Sequence, residues 1–456
     1  MSAATSYPLF AKKLVARGVL TDPWLDGEPR FVAAPVVLAS DAWRDLTCAA
    51  EDVARVMNEV ARIVEREPAL VDSFWALTPY QKLMWLASAP LWHGLARADL
   101  FITEDGGVRA CELNSDTPSG EAEAIELNAL ATETAPGAWN PNVGLESAYC
   151  DLVCAFAETV ATGRADRTIG IIYPTEITED LSMVELYRRW FAKRGWRVVL
   201  GSPFNLEAGR DGDARLMGEP CRVMVRHYKT DWWGERESAW LGGEVLRDAA
   251  PLERELGVLL GAVLAGRVAV VNPFGSVLTQ NKRAMAFCWE RIGDFSAAAQ
   301  AAIRRVLPET RRLEAFSAAA LAAEKDAWVL KSDYGCEGDE VVVGRDVTSV
   351  EWADALRTAR PGRWVAQRWF DAQRDANGCA TNFGVYVVAG CARGVFTRVA
   401  RGATDVSARA VATLVEREEE GIKRKDAESP RAETSFVRSL RLDAVALKSP
   451  AGEGIA

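Results

Sequence analysis

ARADLFITEDGGVRACELN, residues 96–114, decides how this chain folds. Two segments of alternating character flank Asp105-Gly106, a pair suited to the tight turn of a β-hairpin. With Asp105 and Gly106 at the centre of a two-residue turn, Glu104 falls opposite Gly107, Asp99 opposite Glu112, and Arg97 opposite Asn114. Side chains alternate along a strand, so the last four share one face, with directly opposed Cβ atoms about 5 Å apart. Opposed carboxylates repel, and a sequence that keeps them together supplies a cation or a shared proton. Arg97 is one such cation, and a metal ion is another. Asp99, Glu112 and Asn114 offer the hard oxygen donors that suit magnesium, which is often held by one or two carboxylates plus substrate phosphates. The plainer alternative is an arginine-carboxylate network on a surface strand pair.

The chain continues as SDTPSGEAEAIELNAL, residues 115–130. Ser115 and Asp116 read as the turn off the sheet, Thr117 or Ser119 as a helix cap, and Pro118 as a first-turn residue. Free backbone N–H groups at a helix start favour an anion. Ser115, Asp116, Thr117 and Ser119 are therefore candidate contacts to a substrate carboxylate or phosphate, beside a plain cap as the alternative.

Length and composition narrow the classes. A chain of 456 residues with 49% hydrophobic and 26% charged residues has room for two or three domains and is ordinary for a soluble globular protein. A net charge of −10 and a pI near 5.1 would repel a phosphate backbone, so no nucleic-acid partner is expected. The longest apolar run, LGVLLGAVLAG at 256–266, is too short for a membrane span, and the N-terminus lacks a signal-peptide core. The expectation is a cytoplasmic protein without a membrane partner. Nine cysteines fit reduced thiols, and only two histidines, His93 and His227, leave little room for a Ser-His-Asp triad or a His-rich zinc site.

Four regions follow from the pattern. Residues 1–165 combine a helical layer, apolar at spacings of three and four, with the hairpin and the substrate side of the core. Residues 166–275 contain TIGIIYP, EDLSMVELYRRWFAKRG ending at Gly195, and WRVVLGSP, a strand-helix-strand unit that implies a parallel pair. Residues 276–415 begin with the helix NKRAMAFCWERIGDF and become strand-rich, forming a lid and further core strands. From about 416, the mixed-charge run reads as an exposed helix passing into a mobile tail. No Gly-Lys dipeptide occurs, which excludes the ordinary phosphate loop, and no Gly-x-Gly-x-x-Gly follows a strand.

A second cluster lies in AWVLKSDYGCEGDEVVVG, residues 327–344. Lys331 ends a strand before a loop holding Gly335 and Gly338, an arrangement that can hold a nucleotide phosphate, although a hairpin with a surface lysine looks the same. Arg97 and Asp99, then Glu112 and Asn114, then Asn281 and Lys282, then Lys331 and its glycine loop give a motif order that resembles the glutathionylspermidine synthetase family over about residues 80–400.

That resemblance implies an α/β, circularly permuted ATP-grasp-like fold with mixed and antiparallel sheets, and an ATP- and Mg2+-dependent ligase that joins a small-molecule carboxylate to an amine through an acyl phosphate. It further implies magnesium on Asp99, Glu112 and Asn114, and ATP phosphates on Lys282 and Lys331 under Gly335 and Gly338. Gln367, in RWVAQRWFD, would lie near the adenine. Arg97 would stabilise the transferring phosphoryl group, joined by Arg398, with Arg393 and Arg401 as rivals. Residues 1–80 contain no histidine and one cysteine, Cys48, so the amidase half of bifunctional relatives is missing. Residues reading a thiol tripeptide or polyamine have no match here. A phosphotransferase or a non-catalytic nucleotide-binding protein on the same scaffold are the alternatives. Asp333, Glu337 and Asp339 make the loop unusually acidic, so a further metal ligand there is an open alternative.

Overall fold

A computed structural model of the protein describes residues 7–162, 165–243, 250–335, 340–402, 404 and 407–417. In chain order, the elements that build the site are β1 (Phe31–Leu38), α1 (Ser40–Arg66), β2 (Leu95–Ile102), β3 (Val108–Asn114), α2 (Glu121–Thr132), α3 (Leu145–Thr159), β4 (Thr168–Ile172), α4 (Leu181–Lys193), β5 (Arg197–Gly201), β6 (Val223–Arg226) and β7 (Ala269–Val271). They continue with α5 (Arg283–Glu290), β8 (Thr310–Arg312), β9 (Trp328–Ser332), β10 (Val341–Val343), β11 (Trp364–Arg368), β12 (Ala380–Val388), β13 (Cys391–Ala400) and β14 (Arg409–Glu416).

Three sheets carry the architecture. The largest runs in the order β1-β14-β13-β12-β2-β3, with the short strand Ala138–Trp139 also pairing β14. On one side lies α1, whose Leu46, Ala50, Val53, Met57, Val60 and Val64 recur at spacings of three and four and are all buried. The expected helical layer is this helix with two shorter ones, Leu70–Ser73 and Pro79–Leu86, the latter opened by a Thr78–Gln81 capping box. α2 packs against β13 and β14.

The second sheet is parallel, in the order β7-β6-β4-β5. Its strands are short apolar runs, as expected of strands covered on both faces. α4 buries Met183, Val184, Leu186, Tyr187, Trp190 and Phe191, and the chain turns at Gly195 with φ 76° before entering β5. The strand-helix-strand expectation for 166–275 describes this unit. The third sheet, β8-β11-β9-β10, is antiparallel and lies within 276–415, the stretch read as strand-rich. Trp328, Leu330, Trp352 and Trp364 fill its own small core.

Two features depart from the sequence reading. β1 and β14 were not anticipated as strands, and they are parallel neighbours in the main sheet. That sheet therefore draws strands from both 1–165 and 276–415. The charged run directly follows the buried strand β14, and the tail beyond 417 lies outside the described residues. Among the described residues, no helix is long and apolar enough to cross a membrane.

Candidate active site

The hairpin β2-β3 forms with the expected pairs at its working end, by a different route. The loop holds three residues, Glu104, Asp105 and Gly106, because Thr103 rather than Glu104 pairs with Gly107: its amide donates to the Gly107 carbonyl, its carbonyl accepts from Gly106, and Gly106 takes φ 81°. This shifts the pairing to Leu100 with Ala110, until a bulge at Cys111 restores Asp99 opposite Glu112 and Arg97 opposite Asn114. The bulge also turns the Cys111 carbonyl to accept from Lys331 Nζ at 3.1 Å. The Cys111 thiol, pushed up to about 12 by burial, stays protonated.

Asp99 is fully buried and held by two arginines. Its Oδ1 accepts from Arg97 Nε at 2.7 Å, while Oδ2 accepts from Arg97 Nη2 at 3.1 Å and Arg398 Nη2 at 2.9 Å. Arg398 is thus the member of the Arg393, Arg398 and Arg401 trio that the described contacts put on this face. Burial opposes the Arg97 charge, but Asp99 outweighs it and fixes the guanidinium as a cation.

Arg97 lies flat across β12 because position 384 is glycine. A Cβ there would sit 2.7 Å from Arg97 Cδ, 2.9 Å from its Nε and 3.0 Å from the Phe396 carbonyl oxygen. Gly384→Ala is therefore expected to push Arg97 off Asp99, with an overpacking cost of about 1–3 kcal/mol. Thermal unfolding measures the cost, and turnover should fall about tenfold or more as Arg97 leaves its position. An unchanged Tm and rate would refute this account of the glycine.

Glu112 is the ionised partner of the lysines. Burial raises its carboxyl, but Lys282, Lys331 and Arg97 pull it down further, to about 2. Its Oε2 lies 3.6 Å from Lys282 Nζ, and Asn114 Nδ2 donates to Oε1 at 3.3 Å. Gln280, not foreseen from sequence, donates to Asn114 Oδ1 at 3.4 Å and accepts from the Ser115 and Asp116 amides. Lys282 also donates to the Gly335 carbonyl, which ties the lysine helix to the lid loop. Gly338, with Glu337 and Asp339, lies outside the described residues. Asp333 is taken up by Arg363 at 2.7 Å and is not a spare acid.

A divalent cation fits this donor set in part. Glu112 and Asn114 are half-buried, and their oxygens hold only long contacts, so both can accept a cation. Asp99 has both oxygens committed, although a carboxylate offers about four lone-pair positions. Among the described residues, no three of His, Cys, Asp and Glu converge on one point. Any cation held here would need Asn114 or substrate oxygens to complete its shell.

The loop after β3 does not form the expected cap. α2 begins at Glu121 with Gly120 as its N-cap at φ 93°, and neither Thr117 nor Ser119 caps it. A Cβ on Gly120 would meet Phe396 at 2.4 Å, so the loop lies close on β13. The Ser119 carbonyl accepts from Arg97 Nη1 at 2.7 Å and from Tyr386 Oη at 2.9 Å. Ser115 pairs with Thr279 at 2.8 Å, and Asp116 is sheathed by Arg226, Thr230 and Ser276. Both are buried, so their side chains shape the loop rather than offer free groups to a ligand. Asp116, Thr117 and Pro118 line a small cleft with Tyr149, Tyr187 and His227.

Gln367 is also turned inward. It is 3% exposed, donates to Thr310 Oγ1 at 3.2 Å and lies 3.8 Å from Met285 Sδ, so its side chain faces α5 on the side of the sheet away from the Trp328–Trp364 core. Asn272, which the sequence reading passed over, joins the main sheet to the parallel sheet. Its Oδ1 accepts from the Gly94 and Leu95 amides, and its Nδ2 donates to the Leu95, Ser115 and Asp116 carbonyls at 2.7–3.0 Å.

The family described as glutathionylspermidine synthase preATP-grasp matches residues 42–416. The chain is similar in structure to a glutathione synthetase-like effector from Globodera pallida in its apo form, at TM-score 0.57 and 10% identity, over 89% of this chain and 96% of that one. It also aligns with a Methylobacillus flagellatus protein whose structure is described as a gamma-glutamylcysteine synthetase, at TM-score 0.45 and 13% identity, over 84% of this chain and 95% of that one. No curated protein matches in sequence.

Proposed function

Because the chain belongs to the glutathionylspermidine synthase preATP-grasp family, with an ATP-grasp-like fold and a ligase-like kind of activity, we propose that it joins a small carboxylate to a small amine at the expense of ATP and with magnesium. The observation that carries this is the meeting of Lys282 and Lys331 with Glu112 on the sheet face that also holds Arg97, Asp99 and Arg398. Positive charge from two directions converges on a half-buried space bordered by one ionised carboxylate. Such a space suits a polyphosphate, since preorganised charges there act on the negative charge that develops during phosphoryl transfer.

In this scheme a substrate carboxylate oxygen attacks the γ-phosphorus, the bond to the bridging oxygen breaks, and ADP departs. Lys282 and Lys331 neutralise phosphate oxygens, and Arg97 and Arg398 face the transferring group. The amine nitrogen then attacks the acyl carbon, the C–O bond to phosphate breaks, and inorganic phosphate leaves with the electron pair and takes up the proton the nitrogen loses. Glu112 and Asn114, with Asp99 behind them, would hold the magnesium ion, which supplies further charge neutralisation on the phosphates. None of these steps uses a protein nucleophile. Both histidines lie outside the described lysine-carboxylate contacts, consistent with such chemistry.

An ADP-release screen across paired acids and amines, followed by mass determination of the product, tests the reading. The expected product has the mass of the acid plus the amine less one water. A product that retains phosphate would instead mark a phosphotransferase, and ATP binding without ADP release for any pair would mark a non-catalytic protein.

A further inference from the structure

Asn382 lies on β12, directly opposite Arg398 of β13 and two residues from Gly384, which pairs with Asp99. Directly opposed side chains share a face, so the Asn382 carboxamide stands on the face that holds Arg97, Asp99 and Arg398. Asparagine is depleted in strands, and this one is 2% exposed. Among the described residues, its Oδ1 is buried without a hydrogen-bond partner, and so is Arg398 Nε across the pair. Arg398 is held instead through Nη2, which donates to Asp99.

A buried amide oxygen without a donor is costly, and a leucine of similar shape would fill this place in the strand at lower cost. The return has to come from a ligand. Phosphate and carboxylate oxygens bring no hydrogen to Asn382, so neither the triphosphate nor the acid satisfies it. The ribose hydroxyls of ATP carry hydrogens, but they sit at the far end of the triphosphate from the phosphoryl group that Arg398 faces. An amine nitrogen carries N–H groups and has to reach the acyl carbon beside that same phosphoryl group. One unmet acceptor next to one unmet donor matches an attacking amine next to an acyl phosphate oxygen.

We propose that Asn382 Oδ1 accepts an N–H of the attacking amine while Arg398 Nε donates to an oxygen of the acyl phosphate. That assignment rests on the ligase reading, to which it adds the residue that orients the amine. In the step it serves, the N–C bond forms and the C–O bond to phosphate breaks. Phosphate keeps the electron pair of that bond and takes the proton the nitrogen loses. Asn382 takes no proton, since a carboxamide oxygen accepts hydrogen bonds without acting as a base near neutral pH. Its part is to aim the nitrogen lone pair at the carbon.

Positional isotope exchange separates the two half-reactions. ATP carrying 18O at the β–γ bridge scrambles its label when an acyl phosphate forms and reverts, with the acid present and no amine. With the acid and amine found by the ADP-release screen, Asn382→Leu should exchange label within about twofold of the parent, while the KM for the amine rises about tenfold or more and those for ATP and acid hold. Its Tm should equal or exceed the parent's, because no hydrogen bond is lost. Asn382→Ala, which cannot overpack, should show the same kinetic split. Exchange that falls in step with amide formation in both variants would make Asn382 part of the phosphoryl step or of the fold. A raised KM for ATP alone would assign it to the ribose, and an unchanged KM for the amine would leave it to a bound water. Each of these results overturns the inference and keeps the ligase. No exchange in the parent protein with any acid would remove the ligase reading itself, and the inference with it.

Discussion

Glu112→Gln should lower ADP release about a hundredfold to a thousandfold while leaving the fold intact. The substitution keeps shape and volume and removes one negative charge. Glu112 lies on β3, the edge strand of the main sheet, with its side chain 23% exposed, so no packed core depends on it. Its charge, however, is set against Lys282, Lys331 and Arg97, which hold the carboxyl near 2 and keep it ionised at every working pH. Removing it leaves two lysines without their counter-charge and takes away an oxygen donor on which the metal would depend. Circular dichroism should superpose with the parent protein. Full turnover in the variant would refute the assignment of this face as the catalytic one.

A second substitution should raise stability rather than lower activity. Burial pushes the Glu121 carboxyl up to about 7, against an ordinary value near 4.5. Between those values the native state keeps a proton that the unfolded chain releases, so stability falls as pH rises through the window and levels off above 7. At about 1.4 kcal/mol per pH unit, the full swing is about 3 kcal/mol. Glu121→Gln removes it, so the variant should gain about 3 kcal/mol over the parent between pH 4.5 and pH 8 in urea unfolding. The groups facing Glu121 are Tyr149 on α3, Tyr187 on α4, His227 after β6, Tyr386 on β12 and Arg97 on β2, and all remain in the variant. A pH-independent difference between the two proteins would contradict this account.

The hairpin was legible because its chemistry survives a change of turn. Reading Asp105-Gly106 as a two-residue turn misplaces one residue, and the bulge at Cys111 returns it, so Arg97, Asp99, Glu112 and Asn114 meet as alternation predicts. Composition could not reveal that compensation, since nothing local marks Cys111 as a bulge. The helix start was misplaced for a related reason. Thr117 and Ser119 have cap chemistry, but Arg97 and Tyr386, distant in sequence, draw the Ser119 carbonyl inward and leave Gly120 to make the turn. β1 was missed because Pro35 interrupts its apolar run, a residue tolerated there because β1 is an edge strand with β14 on one side only. β14 was hidden by the charged sequence that follows it. Gln280, Asn272 and Glu121 act through contacts between separate elements, which no spacing along the chain encodes.

The pairing of β1 with β14 bears on how the protein is made. Residues 31–38 emerge from a ribosome early and wait for residues 409–416 before they gain their lateral neighbour. Until then β1 is an apolar ribbon with no sheet to join, and the chain between the two must already be largely in place. Long-range pairings of this kind slow folding and prolong the exposure of sticky segments. Shortening the chain ahead of residue 409 would thus strand the segment at its beginning, so the two ends of the sheet stand or fall together during synthesis.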